Sequence, residues 1–348
     1  MEMLQAIFLL IIGLLLLIKG GDWFVDGATG IARRFHLPEI LIGATVVSIG
    51  TTLPEVMVSA QGAMQGSGSM AYGNAIGSII CNTSLIAAIT IAIKPGKADR
   101  KTMILPVCFF FGAAAFYMAV SYFFGKFSRL VGIILLCGFA IYMVLTVLQM
   151  KRSPASADDG EAEEVGESMS SDEYKALSFW KKVWAHISGK KNTIVRELIL
   201  LVLGAAVIAV GADLLVDNGI IIAEKLGVPE TVIALTFVAL GTSLPEFVTA
   251  ITSLIKGHGS LSLGNIIGAN LFNLVFVSGV AVTISPFDVP AESTIAGHPA
   301  SLVLDLPVML GVMAIMIIPA LIRQKLSRVQ GIILLAIYAG FCTLQFVL

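Results

Sequence analysis

Apolar residues recur along the chain in runs of about 20, the length that crosses a hydrocarbon core, with short polar breaks between them. They predict spans at about 3–22, 39–64, 70–93, 102–124, 129–150, 195–222, 230–255, 260–284, 300–322 and 329–348. These ten spans fall five on each side of the one sizeable polar segment, residues 151–194. Sliding the chain by 191 residues lays Asp22 on Asp213, Asp26 on Asp217, Pro38 and Glu39 on Pro229 and Glu230, Gly73 and Asn74 on Gly264 and Asn265, Gly77 on Gly268, and Asn82 on Asn273. The stretch KFSRLVGIILL at 126–136 matches KLSRVQGIILL at 325–335 with an offset of 199. The halves read as copies, and an odd number of spans per copy turns the second upside down in the bilayer. The predicted fold is an all-α membrane protein of about ten transmembrane helices in two inverted five-helix repeats, residues 1–150 and 195–348, joined by a linker at 151–194.

Composition agrees with this pattern. The 348 residues are 57% apolar and 13% charged, against about 25% charged in an ordinary soluble domain. A net charge of −1 carries no orientation; the positions of Lys and Arg do. With the N-terminus outside, 18 of the 22 basic residues fall on the inner side, Lys126, Arg129 and Lys225 fall outside, and Lys19 lies within the first span. That bias predicts a multi-pass protein of the plasma (inner) membrane with both termini extracellular or periplasmic. No Lys or Arg precedes the run Leu4 to Ile18, so it reads as a retained span and not a cleaved signal. In the linker, the acidic run from Asp158 to Glu173 lacks the spacing of a calcium loop and reads as a solvated connector. Phe179, Trp180, Val183, Trp184 and Ile187 share one helical face and predict a short helix on the inner membrane surface. Cys81, Cys108, Cys137 and Cys342 lie in apolar stretches without CxxC spacing and read as packing residues.

Two stretches carry the chemistry, GTTLPE at 50–55 and GTSLPE at 241–246. A carboxylate at mid-membrane depth costs at least about 2.5 kcal/mol on insertion scales, so Glu55 and Glu246 call for a compensating partner. Neither has a Lys or Arg near it in its own span, and a bound cation is the simplest solution. Pro54 and Pro245 lack the N–H that would bond the carbonyls of Gly50 and Gly241, which predicts a local opening of each helix. Ser48, Thr51, Thr52 and Glu55 share one helical face, as do Ala239, Thr242, Ser243 and Glu246. Two carboxylates, hydroxyls and freed carbonyls make an all-oxygen site that suits calcium better than magnesium, and zinc or copper poorly.

The next span of each half carries GNAIGSIICN at 73–82 and GNIIGANLFN at 264–273. Their glycines predict a face for close helix approach, and Asn82 and Asn273 either supply amide oxygens near the midplane or join helices by hydrogen bonds. Asp22, Asp26, Asp213 and Asp217 lie towards span ends, as caps or as an ion vestibule. Asp305 has no counterpart, since Ile104 stands there, and reads as a local helix contact.

The paired GT(T/S)LPE and GN(A/I)IG motifs in inverted halves resemble the two alpha repeats of the sodium/calcium exchanger family of the cation/calcium antiporters, especially its short prokaryotic members. The resemblance implies exchange of calcium for sodium, with no cofactor and no enzymatic activity. It puts Glu55 and Glu246 at the centre and assigns backbone and hydroxyl oxygens to Thr51 and Thr242. Thr52, Ser243 and Ser78 take flanking sodium positions, Asn82 and Asn273 the central ring, and Ser48 and Ala239 contribute carbonyls. Ala269 departs from the pattern, standing where the first half has Ser78. That leaves a proton or another cation open as the coupling ion. A calcium channel is the rival from another class. An intramembrane hydrolase lacks a nucleophile and base, because His36, His186, His258 and His298 all fall near loops. The expected partners are calcium and sodium ions and the lipid bilayer, with no nucleic acid; the oligomeric state is not legible.

Overall fold

The computed structural model describes residues 2–152, 194–225, 241–291 and 293–347. It is almost wholly helical: α1 (Glu2–Arg34), α2 (Glu39–Met64), α3 (Gly68–Ile93), α4 (Arg100–Phe124), α5 (Arg129–Arg152), α6 (Ile194–Lys225), α7 (Leu244–Ile255), α8 (Gly259–Ile284), α9 (Ser301–Arg323) and α10 (Arg328–Val347). Among the described residues, nine helices are long and apolar enough to cross a membrane, and α7 is the described part of the seventh expected span. Ala239, Pro229, Glu230, the acidic run and the expected surface helix at 179–187 lie outside the described residues.

The first helix corrects its expected end at residue 22. It continues to Arg34, because Trp23 to Ala32 contains no proline and buries Phe24, Val25, Ala28, Ile31 and Ala32. Its 33 residues span about 50 Å against a hydrocarbon core of about 30 Å, so it must cross obliquely or project beyond the core. Local chemistry bounds other helices as elementary rules require. Asp99 caps α4, its Oδ1 accepting from the Lys101 N–H at 3.1 Å, and Gly125 ends it in the left-handed region at φ 61°.

Contacts between the halves obey the inverted repeat. Helices α1 and α6 pack antiparallel along their length, with Gly13 against Gly211 and Gly20 against Gly204. A Cβ on Gly13 would lie 2.9 Å from the Gly211 carbonyl oxygen, and the reverse also holds, so only glycine admits this approach. Offset by 191, Gly13 becomes Gly204 and Gly20 becomes Gly211, and the first contact maps onto the second. The bundle ends repeat the rule. The strand β1 (Lys126–Phe127) pairs antiparallel with β2 (Phe287–Asp288), Lys126 opposite Asp288, while Lys325 bridges Lys97 at the other end.

One end of the bundle, the basic end, gathers Arg34, Lys97, Lys256, His258 and Lys325. There Lys256 Nζ lies 2.8 Å from Asp26 Oδ1 and 3.4 Å from Asp22 Oδ1, so these aspartates hold α1 to the C-terminus of α7. Their counterparts Asp213 and Asp217 are exposed. Exposed apolar side chains such as Leu4, Phe123 and Ile322 cover the outer surface, as expected where lipid is the solvent. Of the cysteines only Cys81 is buried; Cys108 and Cys137 are exposed and Cys342 partly so, which corrects the packing role expected for them.

Arg34 also binds Glu197, Nε to Oε2 at 2.8 Å and Nη2 to Oε1 at 3.1 Å, and the Glu197 side chain is almost wholly buried. Arg34 is itself exposed, so removing it strands the buried Glu197 charge, and replacing that carboxylate with an apolar side chain as well relieves the cost. Arg34→Ala is therefore expected to lower the thermal midpoint in detergent. Adding Glu197→Leu should recover most of the loss, and a double variant no better than the single would show that the loss lies in the contacts of Arg34 itself and not in the stranded Glu197 charge.

Candidate ion site between the repeats

The centre of the bundle is built from α2, α3, α7 and α8. Ser48, Thr51, Thr52 and Glu55, the face read from spacing, are all buried, none more than 2% exposed. Glu246, Asn82 and Asn273 are fully buried, Ser243 and Ser78 nearly so, and Thr242 partly. The two motifs meet directly, Thr52 Oγ1 donating to Glu246 Oε1 at 3.3 Å. Both oxygens of Glu55 and Oε2 of Glu246 have no hydrogen-bond partner, nor do the amide atoms of Asn82 and Asn273. No salt bridge among the described residues reaches either glutamate.

The prolines act differently in the two halves. Before Glu246 the chain turns at Thr242 and Ser243, and α7 starts with Pro245 in its first turn. Before Glu55 the helix runs on through Pro54, so the opening expected there does not break α2. A π-helical turn lies just upstream instead, at Gly43–Val47. Two further π turns, Asn82–Ala87 and Asn273–Val277, begin at the repeated asparagines. Such single turns disturb the i to i−4 ladder and are frequent at functional sites.

A second pair of asparagines, which the spacing argument passed over, braces the site. Asn74 Nδ2 donates to the Glu55 carbonyl at 3.0 Å and to Ser59 Oγ at 2.8 Å. Asn265 Oδ1 accepts from Thr51 Oγ1 and Ser48 Oγ, each at 3.3 Å. Both belong to the repeated GN(A/I)IG motif, and that repetition was the available signal.

The motif's glycines correct another expectation, that both faces bring helices together. In the second half they do: Cβ atoms on Gly264 and Gly268 would lie 2.8 Å from the Ile40 carbonyl carbon and 2.6 Å from Ala44 Cα. In the first half nothing lies within 4 Å of a Cβ on Gly73 or Gly77, which line a cavity of about 340 Å³ with Asp305. Asp305 keeps a local helix contact, its Oδ1 accepting from Gln345 Nε2 at 2.7 Å. Ala269 is fully buried where Ser78 offers a hydroxyl in the other half.

Carboxylate, hydroxyl and amide oxygens converging without a basic side chain form a donor set suited to a hard cation. Comparisons with known proteins point the same way. A family model described as sodium/calcium exchanger protein matches residues 5–148 and 196–347. The chain is 33% identical to a putative antiporter, CaxA, of Alkalimonas amylolytica over 99% of both chains, and 29% identical to the sodium/calcium exchanger MaX1 of Methanosarcina acetivorans over 97% of both. It superposes on a solved structure of the sodium-calcium exchanger NCX_Mj, soaked with Na⁺ and Sr²⁺, with a TM-score of 0.73 and 29% identity over 97% of both chains. The chain is a multi-pass membrane transporter and belongs to the sodium/calcium exchanger family.

Proposed function

We propose that the protein exchanges calcium for sodium by alternating access, with Glu55 and Glu246 as the shared ligands of both ions. The observation that carries this reading is the pair of fully buried carboxylates, three of whose four oxygens have no hydrogen-bond partner. Charge left so exposed to a low-dielectric surrounding is tolerable with a cation bound and costly without one, which opposes return of the unloaded site and couples the two fluxes. Thr51, Thr52, Thr242, Ser243, Ser78, Asn82 and Asn273 complete the ligand set, with Ser48 and Ala239 contributing through their carbonyls. The sodium/calcium exchangers among the relatives support both ions as substrates.

The two repeats, residues 1–150 and 195–348, move against each other about this site, a division supported by the two stretches of the family match. The unlike packing of the repeated glycines supports a state closed at the basic end. The bias of Lys and Arg supports a cytoplasmic basic end, a cytoplasmic linker at 151–194 and outer termini, in the plasma membrane.

Ala269 favours one alternative, a calcium/proton exchanger, because a hydroxyl is missing from one flanking position. Calcium uptake into proteoliposomes loaded in turn with sodium, with potassium, and with only an acid interior decides between them. Uptake with internal sodium alone is the expected result. Uptake driven by the proton gradient alone would overturn sodium as the coupling ion, and calcium flux indifferent to any opposing gradient would indicate a channel.

A further inference from the structure

Many buried hydroxyls in this bundle bond a carbonyl about one helical turn back. Thr29 does so to Val25 at 2.9 Å, Thr45 to Leu41 at 2.7 Å, and Ser121 to Tyr117 and Thr146 to Tyr142 at 2.8 Å each. Three hydroxyls of the second repeat forgo that bond. Thr249 and Ser253 on α7 and Ser262 on α8 are at most 3% exposed, and none of their oxygens has any partner.

All three lie between the central site and the basic end. On α7, Ser243, Glu246, Thr249 and Ser253 fall within one helical face, and Ser243 Oγ is also without a partner. The opposite side of α7 meets α1, where a Cβ on Gly21 would touch Val248 and Thr252. The polar face is thus turned from α1 into the bundle, where α7 packs on α8. From Glu246 to Ser253 the stripe descends about 10 Å towards the basic end. Ser262 lies in the first turns of α8 at that same end. The seam is covered there by Glu39, which binds His258 Nδ1 at 2.7 Å and Ser260 Oγ at 3.1 Å, and by the contact of Gly264 and Gly268 with Ile40 and Ala44.

Packing does not require these hydroxyls. The equivalent positions of the first repeat are Val58, Gly62 and Ala71, none of which carries a side-chain polar atom, and the buried Ser59 hydroxyl of that helix pair is satisfied by Asn74 at 2.8 Å. An unsatisfied buried hydroxyl is costly, so three on the packed helix pair of one repeat call for a ligand in another state of the protein.

We propose that Thr249, Ser253 and Ser262 form a transient cation-binding seam, the path by which a partly hydrated sodium or calcium ion moves between Glu246 and the basic end once α8 parts from α2. The hydroxyls replace water in the ion's shell stepwise; in the closed state they lie dry under the Glu39–His258 cover. This rests on the exchange reading of the central site, and its test is separable from that reading because wild-type flux is measured first.

In the triple variant T249V/S253A/S262A, in proteoliposomes of known orientation, the calcium concentration for half-maximal exchange at the basic end is expected to rise roughly tenfold, the lower end of what outer groups of a metal site cost. The value at the opposite end should not change, and T249S/S253T should keep wild-type values at both. Equal shifts at both ends, or none, overturn the proposal. If the triple variant does not fold, Ser253→Cys in a background lacking the four native cysteines decides. Modification by an impermeant thiol reagent from the basic side only, slowed by calcium, supports the seam; inertness from that side overturns it.

Discussion

Glu55→Gln and Glu246→Gln are each expected to abolish calcium uptake while leaving the protein folded. Each glutamine keeps the shape and one carbonyl oxygen but removes a full negative charge from a site with no basic partner among the described residues. Loss of an outer-shell group alone costs a metal site about 10–100-fold, so loss of a charged ligand should exceed a hundredfold in calcium affinity. Stability makes the prediction sharper. A ligand at a hundred times its Kd stabilises the wild type by about 2.7 kcal/mol, and calcium should raise its thermal midpoint accordingly. Without calcium, the glutamine variants should melt no lower than wild type, and above it if desolvating the carboxylate dominates, because a neutral amide is cheaper to bury than an unpaired carboxylate. Calcium should then move their midpoints little or not at all. Full uptake by either variant, or an undiminished calcium shift, would remove the central site from the mechanism.

What made these two residues legible was repetition. A buried carboxylate recurring at the same offset as Pro54 and Pro245 is hard to assign to packing, and the same offset aligns Asn82 with Asn273 at the start of matching π turns. An offset states which positions are equivalent, however, and not which ones touch. That Asn265 of one repeat would take the hydroxyls of Ser48 and Thr51 in the other is a tertiary fact with no local periodicity behind it. The same holds for Lys256, seven residues after Thr249 in sequence, reaching across to Asp22 and Asp26 on α1. The apolar run of the first span gives way to polar residues from about Asp22, although the helix does not end there. Both aspartates lie against Lys256, and the helix continues past them to Arg34 on its buried apolar face. Identical motif letters also hid an asymmetry of state, since GN(A/I)IG reads alike in both halves although only one is packed shut.

That asymmetry yields the second large effect, opposite outcomes from one substitution at equivalent sites. Gly264→Ala puts a methyl 2.8 Å from the Ile40 carbonyl carbon, and Gly268→Ala one 2.6 Å from Ala44 Cα. Both obstacles are backbone, which cannot rotate aside as a flexible side chain would, so α8 must move away from α2. Overpacking of this kind typically costs about 1–3 kcal/mol, and the thermal midpoint in detergent should fall for each variant. Gly73→Ala and Gly77→Ala meet nothing within 4 Å. There the helix preference for alanine, up to about 1 kcal/mol over glycine, has no clash to oppose it, and the midpoint should hold or rise. Transport should nevertheless suffer. If the halves exchange roles as the site turns from one end to the other, the face of Gly73 and Gly77 must close as that of Gly264 and Gly268 opens. A methyl at Gly73 or Gly77 then obstructs only the state closed at the end opposite the basic one. Exchange should slow while stability in the present state does not, and excess external calcium should not restore the rate, because binding from the open side is untouched. Equal losses of stability at Gly73 and Gly264 would mean that both faces are packed in the protein's resting state, and full exchange in Gly77→Ala would mean that the first-half glycines never close against a neighbour during the cycle.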